Sequence, residues 1–242
     1  MKMSPERTYR NLIRQQHLTA FRSVVKETDL HVQAIKPLSR ETRESILSHR
    51  ATIEAFIDQY PEFASSLVPL TFKTPVPPII ADMTLAGMYA GVGPMAAVAG
   101  AVAACVGTDL LSYSPEIIIE NGGDIFMMTH QPVTIGIFAN QSVLNLRLGI
   151  EVVCRKGPMS VCTSSGTFGH SLSQGKADAV TVFSDSCPLA DAAATAIGNK
   201  VQTKSDVDAA LDFGKHIKGV KGIVIIKDDK AGIWGDMKIV RL

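Results

Sequence analysis

The sequence is short of several features that mark whole functional classes. It has four cysteines, Cys105, Cys154, Cys162 and Cys187, and no two of them form a C-x-x-C pair. No cysteine–histidine cluster has zinc-finger spacing, so the thiols read as reduced and mostly buried, as in a cytosolic protein. There is no charge excess: 24 Lys and Arg stand against 23 Asp and Glu, a formal net charge of +1. A dedicated nucleic-acid binder would show a strong basic surplus, although a local basic pocket for a small anion stays open. No apolar run follows Met1–Arg7, which excludes a signal peptide there. The longest weakly polar run, Ile79 to Val106, holds Asp82 and is rich in glycine and alanine rather than leucine, so it reads as packed interior and not as a membrane span. No G-x-S-x-G elbow is present, which makes a serine hydrolase a poor fit. These absences predict a soluble cytoplasmic protein that uses neither nucleic acid nor a membrane as partner.

What is present is a globular composition. Of 242 residues, 46% are hydrophobic and 19% charged, enough for one large domain with a full core across 1–242. Tyr9–Ile13 and Leu18–Val25 read as two strands around the polar turn Arg14–His17. Asp29–Ile35 alternates apolar and polar, as a half-buried strand does. Ser39 is placed to cap a helix with Glu41 in its first turn, and Ile46, Ile53, Phe56 and Ile57 give that helix one apolar face through about Tyr60. His49 on this helix reads as a surface or edge histidine. Pro61 to Pro78 carries five prolines and reads as a surface connector without a helix. Gly91-Val92-Gly93 then forms a tight turn, with Pro94 at the first position of the next helix. That helix start can bind an anion, or its small residues can simply allow close packing, and the sequence does not choose.

Glu116–Glu120, Ile125–Met128, Val133–Phe138, Leu144–Val153, Ser160–Cys162 and Ala179–Phe183 are strand candidates. Their close spacing predicts a largely antiparallel sheet. Asn121-Gly122-Gly123-Asp124 is a turn of the kind that joins paired strands. Ser205–Lys215 reads as a short helix capped by Ser205, and Gly222–Ile226 and Met237–Val240 as closing strands, with Trp234 as a packing residue.

The chemistry concentrates in Cys162–Ile197. Thr163, Ser164, Ser165, Gly166 and Thr167 supply hydroxyls on a flexible backbone, and such a loop can wrap phosphate oxygens. His170 is the candidate catalytic residue, able to hold a phosphate or move a proton, or else to lock the loop. In the helix that follows, Asp191 and Thr195 project from one face, one turn apart. A carboxylate and a hydroxyl are hard oxygen donors suited to Mg²⁺. The competing reading makes Asp191 a solvent-facing residue in the first turn, stabilised by the helix dipole. Cys162 and Cys187 flank this stretch, which leaves room for a thiol role.

Three motifs in their order and spacing carry a family resemblance. Asn121-Gly122-Gly123-Asp124, Thr163-Ser164-Ser165-Gly166 and Ala190-Asp191-Ala192-Ala193-Ala194-Thr195-Ala196 resemble those of the ApbE-like proteins, which include the FAD:protein FMN transferases. Lys26–Leu30 and Gly93–Gly100 are similar to a shorter, cytoplasmic, largely uncharacterised branch. The resemblance implies an α+β fold, related to the T-fold, of antiparallel sheets with packed helices. It implies Mg²⁺ held by Asp191 and Thr195, with a backbone carbonyl from about Ala96–Ala99. It also implies FAD bound around Gly122, Gly123, Asp124, Ser164, Ser165 and Gly166, a protein acceptor whose threonine attacks the FAD pyrophosphate, and a tendency to form homo-oligomers. Two departures stand out. Where the transferases carry Ala-Lys-Gly, this chain reads Ala99-Gly100-Ala101. Where they carry His-Ile-Ile-Asp-Pro, it reads His170-Ser171-Leu172-Ser173-Gln174. The departures favour a second expectation, a ligand-binding or accessory protein without transfer chemistry.

Overall fold

A computed structural model describes residues 15–139, 142–166 and 175–242. The strand expected at Tyr9–Ile13 and the candidate His170 lie outside them. The chain runs β1 (Thr19–Val25), β2 (Thr28–Ala34), α1 (Ser39–Gln59), α2 (Glu62–Ser65), α3 (Pro78–Ala90), a 3₁₀ turn (Pro94–Ala97), α4 (Val98–Leu110), β3 (Ile117–Asn121), β4 (Asp124–Met128), β5 (Val133–Gly136), β6 (Leu148–Val152), β7 (Met159–Ser164), β8 (Ala179–Ser184), α5 (Cys187–Gly198), a 3₁₀ turn (Lys204–Asp206), α6 (Val207–Lys215), β9 (Val220–Lys227), β10 (Lys230–Gly235) and β11 (Lys238–Arg241). This is the expected α+β architecture.

Eight strands form one sheet in the order β1-β2-β3-β4-β7-β8-β9-β10, and three form a second in the order β11-β6-β5. Every neighbouring pair in both sheets is antiparallel. The large sheet is covered on both faces. On one face Ile117, Ile119, Cys162, Val180 and Val182 pack against the helices. On the other, Ile118, Ile125, Val161, Val224 and Ile226 pack against Ile135, Ile150 and Val152 of the small sheet. Burial on both faces explains why the central strands read as near-continuous apolar runs rather than alternating ones. Each fully buried Ile or Val contributes roughly 1.5–3 kcal/mol, so the strands that frame the site are strongly held.

Several local expectations are corrected. The α1 N-cap is Leu38, without a side-chain cap, and Ser39 is already the first helical residue. The proline-rich connector holds the one-turn α2. It ends on Pro78, which occupies the first turn of α3, a helix hidden in the Gly/Ala-rich run. Pro94 opens a 3₁₀ turn and not α4 itself. Within Leu144–Val153 only Leu148–Val152 is strand, and Trp234, read only as a packing residue, lies in a strand of its own, Lys230–Gly235. The 3₁₀ turn before α6 is closed by a capping box of Thr203 and Asp206, not by Ser205. Among the described residues no single helix is long and apolar enough to cross a membrane.

Candidate functional site

The site forms where the first turns of α4 and α5 meet the helix-side face of the large sheet. β3 and β4 are joined by a two-residue turn, with Asn121 opposite Asp124. Gly122 and Gly123 have φ values of 70° and 111°, a pair of left-handed positions that glycine adopts without strain. The Gly123 N–H donates to the Glu120 carboxylate at 2.9 Å. Asp124 is in register with Cys162 of β7, so the two side chains share the face that looks toward the helices. Ser164, two residues beyond Cys162, has the same orientation. Thr163 points the other way, its hydroxyl 2.9 Å from that of Thr181.

α5 is set by its own sequence. Ser186 caps it by accepting from the Leu189 N–H, with proline in the first turn, as expected of an N-terminus. Buried Ala190, Ala192, Ala193 and Ala194 leave room for α5 to lie close to β7 and α4. Asp191 and Thr195 remain half-buried within this alanine surface, on one face as the spacing predicts. α4 approaches at Gly100, whose N–H donates to Asp191 Oδ2 at 2.8 Å. Asn121 ties the same turn to the sheet, its Nδ2 donating to the Ala99 carbonyl at 3.0 Å.

The electrostatics are unusual for carboxylates. Burial pushes Asp191 up to about 7, and the backbone N–H groups of Gly100 and Ala99 only partly offset it. Burial also holds Asp124 well above the ordinary carboxylate range, and the charges of Asp191, Cys187 and Glu120 raise it further, against a lowering contribution from the Cys162 thiol. Two carboxyl groups that each resist ionisation beside the other form a site that takes up a proton or a cation. On the same strand as Cys162, the Ser164 hydroxyl is buried without a hydrogen-bond partner among the described residues. A buried hydroxyl left unpaired costs on the order of 1–3 kcal/mol.

The site residues drawn from the sequence therefore divide. Gly122, Gly123, Asp124, Ser164, Asp191 and Thr195 lie on β4, β7, α5 and the β3–β4 turn, which pack together. Ser165 and Gly166 continue from β7, and the Gly166 N–H donates to the Ala177 carbonyl at 3.0 Å. A Cβ on Gly166 would fall 2.0 Å from the Gly175 carbonyl oxygen. Gly166 is thus a packing residue in its backbone, and it offers no free N–H to a phosphate. Asn121 and Gly100 were not singled out by spacing. Gly100 stood out only as the departure from the Ala-Lys-Gly run that the resemblance would place there, and Asn121 only as part of the turn motif. His49, read as a surface histidine, lies 2.9 Å from Asp109 Oδ2 at the α1–α4 contact.

The donor set fits a hard divalent cation only in part. Asp124, Asp191, Thr195 and the unpartnered Ser164 supply oxygen, which suits Mg²⁺. Among the described residues, however, no group of three or more His, Cys, Asp or Glu side chains could hold a metal ion by itself. A cation here would take its remaining ligands from water and from a bound phosphate, as Mg²⁺ commonly does.

At position 100 the chain has no space for a side chain. A Cβ there would lie 2.5 Å from the Cys187 carbonyl oxygen and 2.9 Å from Asp191 Cβ. The close approach of α4 and α5 thus requires glycine where the resemblance would place lysine.

A family model described as AbpE bacteria matches residues 10–238. A UPF0280 protein of Methanosarcina acetivorans is 39% identical over 221 residues, covering 90% of this chain and 87% of its own. One of Methanospirillum hungatei is 42% identical over 220 residues, covering 90% and 88%. Among solved structures, a variant of the flavin transferase ApbE from Vibrio cholerae superposes with a TM-score of 0.54 at 12% identity, covering 90% of this chain and 96% of its own. The apo form of the flavinyl transferase ApbE from Pseudomonas stutzeri gives 0.51 at 15% identity, covering 93% and 94%. At such identities the structural likeness concerns the fold.

Proposed function

The chain belongs to the AbpE bacteria family, and from that membership and the geometry around Asp191 we infer that it binds a phosphorylated small molecule, FAD or a relative of it, together with Mg²⁺, and acts on it as a flavin-related transferase. The observation that carries this reading is the pair Asp124 and Asp191, two carboxyl groups raised by burial, with the Ser164 hydroxyl on the same sheet face as Asp124 and without a partner among the described residues. A buried acid pair of this kind is costly when ionised and unoccupied, and a cation with its phosphate would offset that cost. Asp191 and Thr195 are the metal-holding residues in this reading. Ser164 donates to a phosphate oxygen, and the turn Gly122–Gly123 lets the ligand approach the backbone closely. When bound, Mg²⁺ would polarise the phosphoryl oxygens and offset the charge that develops on them. The test is incubation of the protein with FAD, Mg²⁺ and candidate protein acceptors, reading AMP release. Release that disappears in Asp191→Ala supports the reading, and no release with any acceptor removes the transferase form of it.

One observation favours a second reading, a binding or accessory protein that keeps the ligand and lacks the transfer. Gly100 stands where the transferases carry lysine, and the packing of α4 on α5 admits no Cβ there. Saturable FAD binding with no turnover distinguishes this reading from the first.

A further inference from the structure

Cys162 and Cys187 are separated by 25 residues in sequence but meet under the first turn of α5. Their sulfurs lie 3.6 Å apart, and the Cys162 thiol also points at the Cys187 carbonyl, 3.5 Å away. Both are free and buried. Neither has a role in the ligand chemistry above.

We propose that these two thiols form a reversible disulfide that acts as a modification site controlling the position of Asp191. Disulfide bonding requires sulfurs about 2.05 Å apart, so closure draws the first turn of α5 toward β7. Three contacts carry the effect onward. Cys187 is the first residue of α5, and Asp191 lies one turn later on the same side of the helix. The Cys187 carbonyl oxygen and Asp191 Cβ are the atoms that Gly100 packs against. Asp191 accepts the Gly100 N–H. A shift of Cys187 relative to α4 therefore disturbs the Asp191–Gly100 hydrogen bond directly.

The oxidant is a peroxide. The sulfur of one thiol, as thiolate, attacks a peroxide oxygen, giving a sulfenic acid and releasing water. The second thiol attacks the sulfenic sulfur, a second water leaves, and the two thiol hydrogens end in water. Both sulfurs are buried, so a peroxide reaches them slowly and the pair responds to sustained rather than brief exposure. A thiol reductant reverses the bond.

The control of ligand binding rests on the function proposed above, but the bond and the movement of Asp191 do not, and the experiment separates them. The full chain is treated with hydrogen peroxide, unfolded and alkylated, and its peptides are read by mass spectrometry. Backbone hydrogen exchange at Gly100 is measured on the folded protein. The expected result is a cross-linked pair of peptides carrying Cys162 and Cys187, lighter by about 2 Da, and Gly100 exchange faster on the order of tenfold. Cys187→Ala should show the same Gly100 exchange with and without peroxide, and Cys162→Ala serves if that variant does not fold. Both thiols still alkylated after exposure, stable sulfinic acid without a cross-link, or a cross-link with unchanged Gly100 exchange would each overturn the proposal. FAD–Mg²⁺ binding is then compared between the reduced and oxidised forms. A loss on the order of tenfold is expected from misplacing one ligand. Absence of FAD binding in both forms counts against the proposed function alone.

Discussion

The Gly100 N–H and the Asp191 carboxylate meet at 2.8 Å, and they do so only because position 100 has no side chain. An ideal Cβ there would lie 2.5 Å from the carbonyl oxygen of Cys187 and 2.9 Å from Asp191 Cβ. The first of these is backbone at the start of a packed helix and cannot rotate away. One hydrogen bond thus fixes both the spacing of α4 and α5 and the direction of the carboxylate. It also leaves no room for the lysine that the resemblance would place here, since a side chain at this position would need a different seating of α5.

Gly100→Ala should therefore destabilise the fold by about 1–3 kcal/mol, the range for inserting a methyl into a filled contact. The midpoint of urea unfolding reports this. Gly100→Lys should be worse and should not create FMN transfer, because the side chain has no cavity to enter. A folded Gly100→Lys variant that released AMP from FAD would contradict the packing argument.

Asn121→Ala should loosen the same turn of α4 from the sheet side. Its Nδ2 hydrogen bond to the Ala99 carbonyl is part-buried, and its loss should cost about 1–2 kcal/mol. Asn121→Asp should cost more, since a carboxylate would face a carbonyl oxygen. Thermal unfolding gives the stability, and amide exchange at Gly100 reports the freed turn.

Stability should fall as the pH rises toward neutrality. Asp191 is raised to about 7 by burial, above the ordinary carboxylate value near 3.9. Between those values the folded state holds a proton that the unfolded chain has released, so the folded state loses ground with each step up in pH. Asp124, raised for the same reason and by the Asp191 charge, adds in the same direction. The melting temperature should be higher at about pH 5 than at about pH 8, by on the order of 5 °C. Asp191→Asn should flatten the dependence. If the cation reading holds, Mg²⁺ with a phosphate ligand should raise the melting point more at the higher pH.

What was legible in the sequence follows from how local each signal is. The turn at Gly122 and Gly123 was readable because both residues need positive φ. α5 was readable because its proline and its alanines lie together in one short run, whereas its cap, Ser186, was not picked out. α3 was not readable, because the five prolines of Pro61–Pro78 read as a connector although the last of them, Pro78, is the helix's first residue. Leu144–Val153 was overextended, since alternation alone does not reveal the left-handed Leu146, with φ of 53°. More than one sheet was implied only by the resemblance; strand spacing could not divide the strands, because the small sheet depends on β11 pairing with β6 from the far end of the chain. For the same reason, Cys162 and Cys187 could be seen to flank the site but not to touch. The Asp191 and Thr195 pair was the converse case. Helical spacing put both on one face, yet only the fold brings Asp124 within reach of the Asp191 charge.

Glu116 offers an acid-side prediction away from the site. It is buried at the start of β3, accepts the His130 N–H at 2.8 Å, and lies 3.1 Å from His17 Nε2. Burial alone would raise its carboxyl, but the backbone N–H of His130 and the contact with His17 more than offset it, and the net direction is downward. A depressed carboxylate stabilises the fold above its unfolded value, near 4.3, and loses that contribution as the pH falls through the folded one. The segment before β1 and the β4–β5 connection both meet this side chain, and a hydrogen bond from Gln15 Nε2 to the Pro132 carbonyl at 3.1 Å also links them. Glu116→Gln should keep the size, remove the charge, and cost about 1–3 kcal/mol at neutral pH, the range for a hydrogen bond to a charged group. The cost should shrink below about pH 4, where the native carboxyl is itself becoming protonated. Urea unfolding of both proteins at several pH values measures it, and a cost that stays constant down to the acid limit would show that shape, not charge, holds these segments together.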